Sequence, residues 1–162
     1  MHHFHSLKTT KVSKETNDCV HIAFAIPPEL RHEFSFKQGQ YINVRFLMGE
    51  EDLRRSYSIV NAPSEGNGDL EILVKHLDEG KVSTYLNQVL KLGDFVEVMA
   101  PSGHFYTHYH PSNEKNYIGL AAGSGISPVL SNLKEALYQE PKSNGYLIFS
   151  NKSFAEIIFK KD

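Results

Sequence analysis

The residues Leu53-Arg54-Arg55-Ser56-Tyr57-Ser58-Ile59-Val60 set a guanidinium, an aromatic ring and a hydroxyl on a strand-like run. Side chains alternate along a strand. Arg55 and Tyr57 therefore face one side and Ser56 and Ser58 the other, except where a strand end twists or bulges. Arg55 can fork two donors onto a pyrophosphate, Tyr57 can lie flat on a fused ring, and Ser58 can hydrogen-bond a ring heteroatom. Those three groups suit a flavin nucleotide. The same eight residues also fit a plain edge strand with a solvated pair of arginines and a packed tyrosine.

Two glycine-bearing segments further along offer seats for phosphate. Gly80-Lys81-Val82-Ser83 opens a run in which Val82, Tyr85, Leu86 and Val89 recur at helical spacing, and Gly93 follows as a stop signal. The first amides of a helix have no internal partners and carry partial positive charge, so a pyrophosphate fits there. Together with Arg55 this start forms a second clamp on one dianion; alone it reads as an ordinary helix N-terminus. Charge-assisted bonds contribute roughly 1.5–3 kcal/mol each, so two or three suffice without a globally basic protein. The second segment is Gly123-Ser124-Gly125, lying between the apolar run Tyr117-Ile118-Gly119-Leu120-Ala121-Ala122 and an amphipathic helix over 127–138. Val129, Leu130, Leu133 and Leu137 are the inward residues of that helix, and Pro128 stands near its first turn, where proline is tolerated. A second buried strand follows at 146–150. Strand, glycine turn, helix, strand is the opening of a nucleotide-binding parallel sheet.

The elements that must carry these groups are short. Strands are expected at 7–13, 19–25, 40–47, 55–60, 70–74 and 94–99, with Pro27-Pro28, Gly49 and Gly66-Asn67-Gly68 between them. Six such strands predict a small antiparallel barrel, which removes exposed sheet edges. The polar and aromatic stretch Tyr106-Thr107-His108-Tyr109-His110-Pro111-Ser112-Asn113 then marks a boundary, giving domains 1–112 and 113–162.

With 40% hydrophobic and 22% charged residues in 162, the chain can bury a core and is no disordered tail. A net charge of -2 with scattered Lys and Arg argues against nucleic acid. No apolar run reaches the roughly 20 residues of a membrane helix, and the first residues lack the apolar core of a secretory signal, so a cytoplasmic location is expected. Cys19 is the only cysteine, which excludes an internal disulfide and a four-thiolate iron–sulfur cluster within these residues. The histidines His104, His108 and His110, and His2, His3 and His5, lack the spacing and companions of a metal site, so no metal is expected.

In chain order the motifs are Arg55-Ser56-Tyr57-Ser58, Gly80 to Ser83, Pro101-Ser102-Gly103-His104-Phe105 and Gly123-Ser124-Gly125-Ile126-Ser127-Pro128. This set resembles the ferredoxin–NADP reductase superfamily, whose patterns are R-x-Y-S, G-x-x-S, P-x-G-x-F and G-x-G-x-x-P. The opening Phe4-His5-Ser6-Leu7, Lys14-Glu15-Thr16, Gly39-Gln40-Tyr41 and the doubled Arg54-Arg55 most resemble the reductase branch of phenylacetyl-CoA ring-epoxidising systems. The resemblance implies a six-stranded antiparallel Greek-key FAD-binding barrel, followed by the first half of a parallel-sheet NAD(P)-binding domain. It implies hydride transfer from nicotinamide C4 to flavin N5, then electron transfer to an iron–sulfur centre and an oxygenase. Tyr57 would stack on the isoalloxazine, Ser58 would sit near N5, and Arg55 would bind the diphosphate with Ser56 beside it. Val74, Lys75 and His76 would touch the flavin through their backbone, with Gly80, Lys81, Val82 and Ser83 on the diphosphate. Gly123, Gly125 and Pro128 would shape the nicotinamide nucleotide turn, with Ser127 where nicotinamide meets flavin. Ser150-Asn151-Lys152 leans weakly to NADPH. Later strands of the nucleotide domain and the 2Fe-2S domain of the family have no counterpart in these residues. A flavohaemoglobin-like reductase portion, or a cofactor-binding module without catalysis, are the other expectations.

Overall fold

A computed structural model describes residues 3–66 and 68–160. Six strands form one antiparallel sheet: β1 (Phe4–Thr16), β2 (Cys19–Phe24), β3 (Tyr41–Met48), β4 (Glu51–Ser58), β5 (Leu70–Lys75) and β6 (Phe95–Ser102), in the order β4-β3-β6-β1-β2-β5. The two outer strands meet beyond the end of β4, through a bridge between Ile59 and Ile72 and a hydrogen bond of 2.8 Å from Val60 N to Glu71 O. That contact closes the sheet into the expected barrel at one end only, and no further β4–β5 bridge forms among the described residues. Helix α1 (Lys81–Gln88) lies toward the other end, its Tyr85 ring 5.1 Å from Phe46, the partner of Leu53.

The barrel core contains Leu7, Val20, Ile22, Phe24, Ile42, Val44, Ile59, Ile72, Val74 and Val98, with Val82 and Leu86 of α1. The expected helix face needs one correction. Val89 is exposed and Leu90 is buried in its place, because the chain widens at the end of α1, where Val89 N and, one residue further on, Leu90 N both bond to Tyr85 O. Strands β1 and β4 are longer than hydrophobic alternation predicts. Their added residues, such as Glu51, Asp52 and Arg54, are polar and exposed, so they pair through backbone and surface ion pairs instead of apolar contacts. Gly49, at φ 64°, begins the two-residue turn between Met48 and Glu51, a position that suits glycine.

The second part comprises β7 (Asn116–Ala122), a 3-10 turn (Gly123–Gly125), α2 (Ile126–Gln139) and β8 (Asn144–Ser150), with β7 and β8 parallel. Helix α2 has two buried faces. Val129 and Leu133 pack over Gly119 of β7, where an added Cβ would come within 3 Å of either side chain. The opposite stripe faces the barrel and is partly polar: Ser131 Oγ donates to Asn61 O at 2.8 Å, and Glu135 Oε2 accepts from Ser64 N at 2.9 Å. Leu137 touches β8 at Gly145 but is left half-exposed at the edge of the two-stranded sheet. Between barrel and second part lies an apolar seam of Cys19, Val60, Leu73, Ile126 and Ile158.

Candidate functional site

Along β4 the register settles which arginine faces which way. Arg55 lies opposite Val44 and shares its side with Leu53 and Tyr57, both packed on the barrel core. Arg54 takes the other side, bonding Asp52 through Nη2 at 2.8 Å and Nε at 3.3 Å, its guanidinium 5.4 Å from the Phe4 ring. Arg54 holds the Asp52 carboxyl below the usual carboxylate range. Arg55 donates from Nη1 to Arg54 O at 2.7 Å, and no carboxylate pairs with it among the described residues. An exposed guanidinium with donors to spare is thus presented on the Tyr57 side.

Tyr57 is half-buried, and burial pushes its phenol up to about 12, so it stays neutral. Ser56 donates to Asn43 Oδ1 at 2.6 Å across the β3–β4 pair. Asn43 is a polar residue between Ile42 and Val44 on the opposite side of β3 from both, and period-2 alternation alone would have placed it. Ser58, the last residue of β4, sits just before the bridge that closes the barrel.

The turn from β5 to α1 is built by a hydroxyl. Ser83 Oγ donates to Gly80 O at 3.0 Å and accepts from Leu77 N at 3.2 Å. A Cβ on Gly80 would lie 2.5 Å from that Oγ and 3.1 Å from Leu77 Cβ, so glycine is required by close approach. Glu79 before it takes the left-handed region, φ 61°. No side chain caps α1, leaving the first amides of Lys81, Val82 and Ser83 open to an anion. Lys81 Nζ is 2.5 Å from Glu51 Oε2, tying this helix start to the start of β4.

Just before that turn, at the end of β5, Val74 is buried in the core and His76 Nε2 is 3.1 Å from Thr84 Oγ1. Lys75 Nζ lies 2.8 Å from Glu156 Oε2 and 3.1 Å from Asp18 Oδ2, and Glu156 above all raises its pKa. A cleft of about 660 Å³ opens here, between His76 on the barrel side and Gly123, Ser124 and Lys152 beyond the carboxyl ends of β7 and β8. That is the side of a parallel sheet on which nucleotides sit. Gly123 has φ 49°, and Ser127, buried, donates its hydroxyl to Ser124 O at 3.1 Å, so it braces the glycine turn. Pro128 is the third residue of α2, and the chain around Gly125 is open. Sequence reasoning missed Asn43, Thr84, Asp18 and Glu156; alternation marks the side of β3 on which Asn43 lies but not its partner Ser56, and Asp18 and Glu156 meet Lys75 only through the fold.

The candidate residues thus fall in two regions of the fold. Lys81 ties the start of α1 to the start of the strand that carries Arg55 and Tyr57; Gly123 and Ser124 face the end of β5 across the cleft, with Ser127 buried behind them. Among the described residues no group of three His, Cys, Asp or Glu is placed to hold a metal, and no helix is long and apolar enough to cross a membrane.

Comparison with known proteins agrees with this geometry. The family pattern described as oxidoreductase FAD-binding domain matches residues 6–107. The chain is 38% identical over 160 residues to a component of the 1,2-phenylacetyl-CoA epoxidase of Escherichia coli, covering 98% of this chain and 44% of that protein. It is 35% identical to the flavohemoprotein of Candida albicans, covering 93% and 37% respectively. Among solved structures, a ferredoxin NADP+ reductase from Neisseria gonorrhoeae with bound FAD and NADP superposes with a TM-score of 0.79 at 26% identity, over 99% of this chain and 63% of that one. The chain spans less than half the length of those two curated relatives.

Proposed function

The chain belongs to the oxidoreductase FAD-binding domain family, and from that premise we propose that it binds FAD along the open side of the barrel and serves an NAD(P)H-dependent reductase. The observation that carries this reading is the pairing of an arginine free of carboxylate partners, Arg55, with an uncapped helix start at Gly80. The residues fit a dinucleotide. Gly80 lets the turn close tightly on Ser83 and Leu77 before the helix start, and Tyr57 offers a neutral, half-buried ring on the same side as Arg55.

In this reading Arg55 and the amides of residues 81–83 hold the diphosphate, Tyr57 packs on the flavin ring, and Ser58 donates toward its polar edge. Ser56, bonded to Asn43, keeps the strand end in register. The backbone of Val74, Lys75 and His76 flanks the ring, while Ser127 supports Gly123 and Gly125 so that a nicotinamide nucleotide meets the flavin across the cleft, with Pro128 fixing the helix start. FAD supplies the hydride and electron chemistry when bound. We assign 1–112 to the FAD-binding unit and 113–162 to part of the nucleotide unit. The reductase role in phenylacetate degradation, with an iron–sulfur centre and oxygenase as acceptors, is favoured by the 38% identity to the epoxidase component.

Titrating the apoprotein with FAD tests the reading. A shifted flavin absorbance and quenched fluorescence are expected at tens of micromolar FAD, a binding free energy of about 6 kcal/mol. An unchanged flavin spectrum there would overturn it.

A further inference from the structure

One wall of the cleft is the segment following β8, where Ser150, Asn151 and Lys152 line it. Two opposed features meet in that segment. The side-chain oxygen and nitrogen of Asn151 are both enclosed, and neither has a hydrogen-bond partner among the described residues. An unpaired buried amide disfavours the arrangement that encloses it. Something must hold the segment in place. Five residues on, in the 3-10 turn Phe154–Glu156, Glu156 reaches the barrel and meets Lys75 Nζ at 2.8 Å. That ammonium is anchored in turn by Asp18 at 3.1 Å, and the Asp18 carboxylate is itself fixed by Thr16 Oγ1 at 2.7 Å. All three charged side chains are roughly a third exposed or less, so solvent screens the bridge only partly. Below it Ile158 enters the apolar seam.

We infer that Glu156 is a positioning residue: through Lys75 it pins the cleft wall of residues 150–152 to the end of β5, against the pull of the unpaired Asn151 amide. The bridge joins the two halves at the level of the cleft and so fixes its width. The pinned wall faces the Gly123 turn, and its relevance to nucleotide binding rests on the function proposed above. Lys75 has no side-chain role toward the flavin here, since two carboxylates already occupy its ammonium.

Hydrogen exchange of the whole chain, with and without FAD, tests this. Glu156→Gln is expected to speed amide exchange across 151–157 about fivefold, the scale of one partly screened ion pair. Asn151→Leu, which removes the orphaned amide at similar volume, is expected to slow exchange in the same segment. Lys75→Arg should retain wild-type protection, since its guanidinium can still meet both carboxylates. FAD affinity should be the same in Glu156→Gln as in wild type. Unchanged exchange in Glu156→Gln, or faster exchange in Asn151→Leu, would overturn the inference, as would a loss of FAD affinity matching the gain in exchange. If wild type fails to bind FAD, the proposed function falls while the exchange data still decide the positioning role.

Discussion

At the residue scale the decisive contrast is between two adjacent arginines of the same charge. Arg54 is spent on Asp52 and the Phe4 ring, whereas Arg55 has, among the described residues, only a backbone carbonyl as hydrogen-bond partner. Arg55→Ala is therefore expected to weaken FAD binding by roughly 1.5–3 kcal/mol, about 10- to 150-fold, with the fold intact. Arg54→Ala should cost far less. Flavin titration of both variants checks the ranking, and the reverse order would mean that the strand presents its even side to the cofactor. Period-2 alternation made this legible, because β4 keeps strict register with β3 from Met48–Glu51 to Tyr41–Ser58. It said nothing of Asn43 accepting from Ser56, which depends on which strand lies alongside. Gly39 is a second residue-scale case. Its φ is 76°, and a Cβ there would lie 2.0 Å from Phe105 O, so Gly39→Ala should destabilise the chain by about 2–4 kcal/mol in thermal or denaturant unfolding.

At the element scale, the irregular segment between β6 and β7 is held by one buried carboxylate. Glu140, at the end of α2, accepts from His110 N at 3.0 Å, Tyr117 OH at 2.8 Å, Ser143 Oγ at 2.9 Å and Asn113 Nδ2 at 2.5 Å. Enclosure alone would raise its pKa, but the hydrogen bonds outweigh that and bring it down to about 2 from an ordinary 4.5. A folded-state pKa below the unfolded one means the stabilisation is fully present above about 4.5 and lost as pH falls toward about 2. Acid unfolding followed by the near-ultraviolet signal of Tyr109 and Tyr117 should show a loss of packing in that interval. Glu140→Gln should flatten the dependence; an equally steep loss in that variant would show that other carboxylates govern it. Sequence composition marked 106–113 as a polar linker, but a glutamate at the end of an amphipathic helix gives no sign that four donors converge on it. The helix α2 illustrates the same limit. Its apolar spacing found Val129 and Leu133, while Ser131 and Glu135 were unreadable as buried, since their partners Asn61 and Ser64 come from the barrel.

At the scale of the whole molecule the barrel is closed and the parallel sheet is not. Each of β7 and β8 pairs only with the other among the described residues, and Ile118, Leu120, Tyr146 and Ile148 are left exposed. The glycine turn offers a dinucleotide a helix start, but a two-stranded sheet provides little surface for its adenine end. Ordering a mobile ligand against so small a surface costs several kcal/mol that two or three hydrogen bonds do not offset. This chain loaded with FAD is thus expected to bind NADH and NADPH in the millimolar range or more weakly. Stopped-flow mixing should show no fast bleaching of the oxidised flavin band; rapid reduction by either nucleotide would contradict this. Both halves of the architecture were legible from strand lengths, turn residues and motif order. The docking between them was not, because the seam of Cys19, Leu73, Ile126 and Ile158 draws single residues from four distant segments.

The central claim is that Arg55 and the start of α1 act together on a diphosphate. FAD contains one, whereas FMN carries a single phosphate and cannot bridge the two donors. Parallel titrations of the apoprotein with FAD and FMN, read by flavin fluorescence, measure this most directly. FAD is expected to bind at least tenfold more tightly, the effect of about 1.4 kcal/mol from one further charge-assisted contact. Equal affinities for the two flavins would contradict the account.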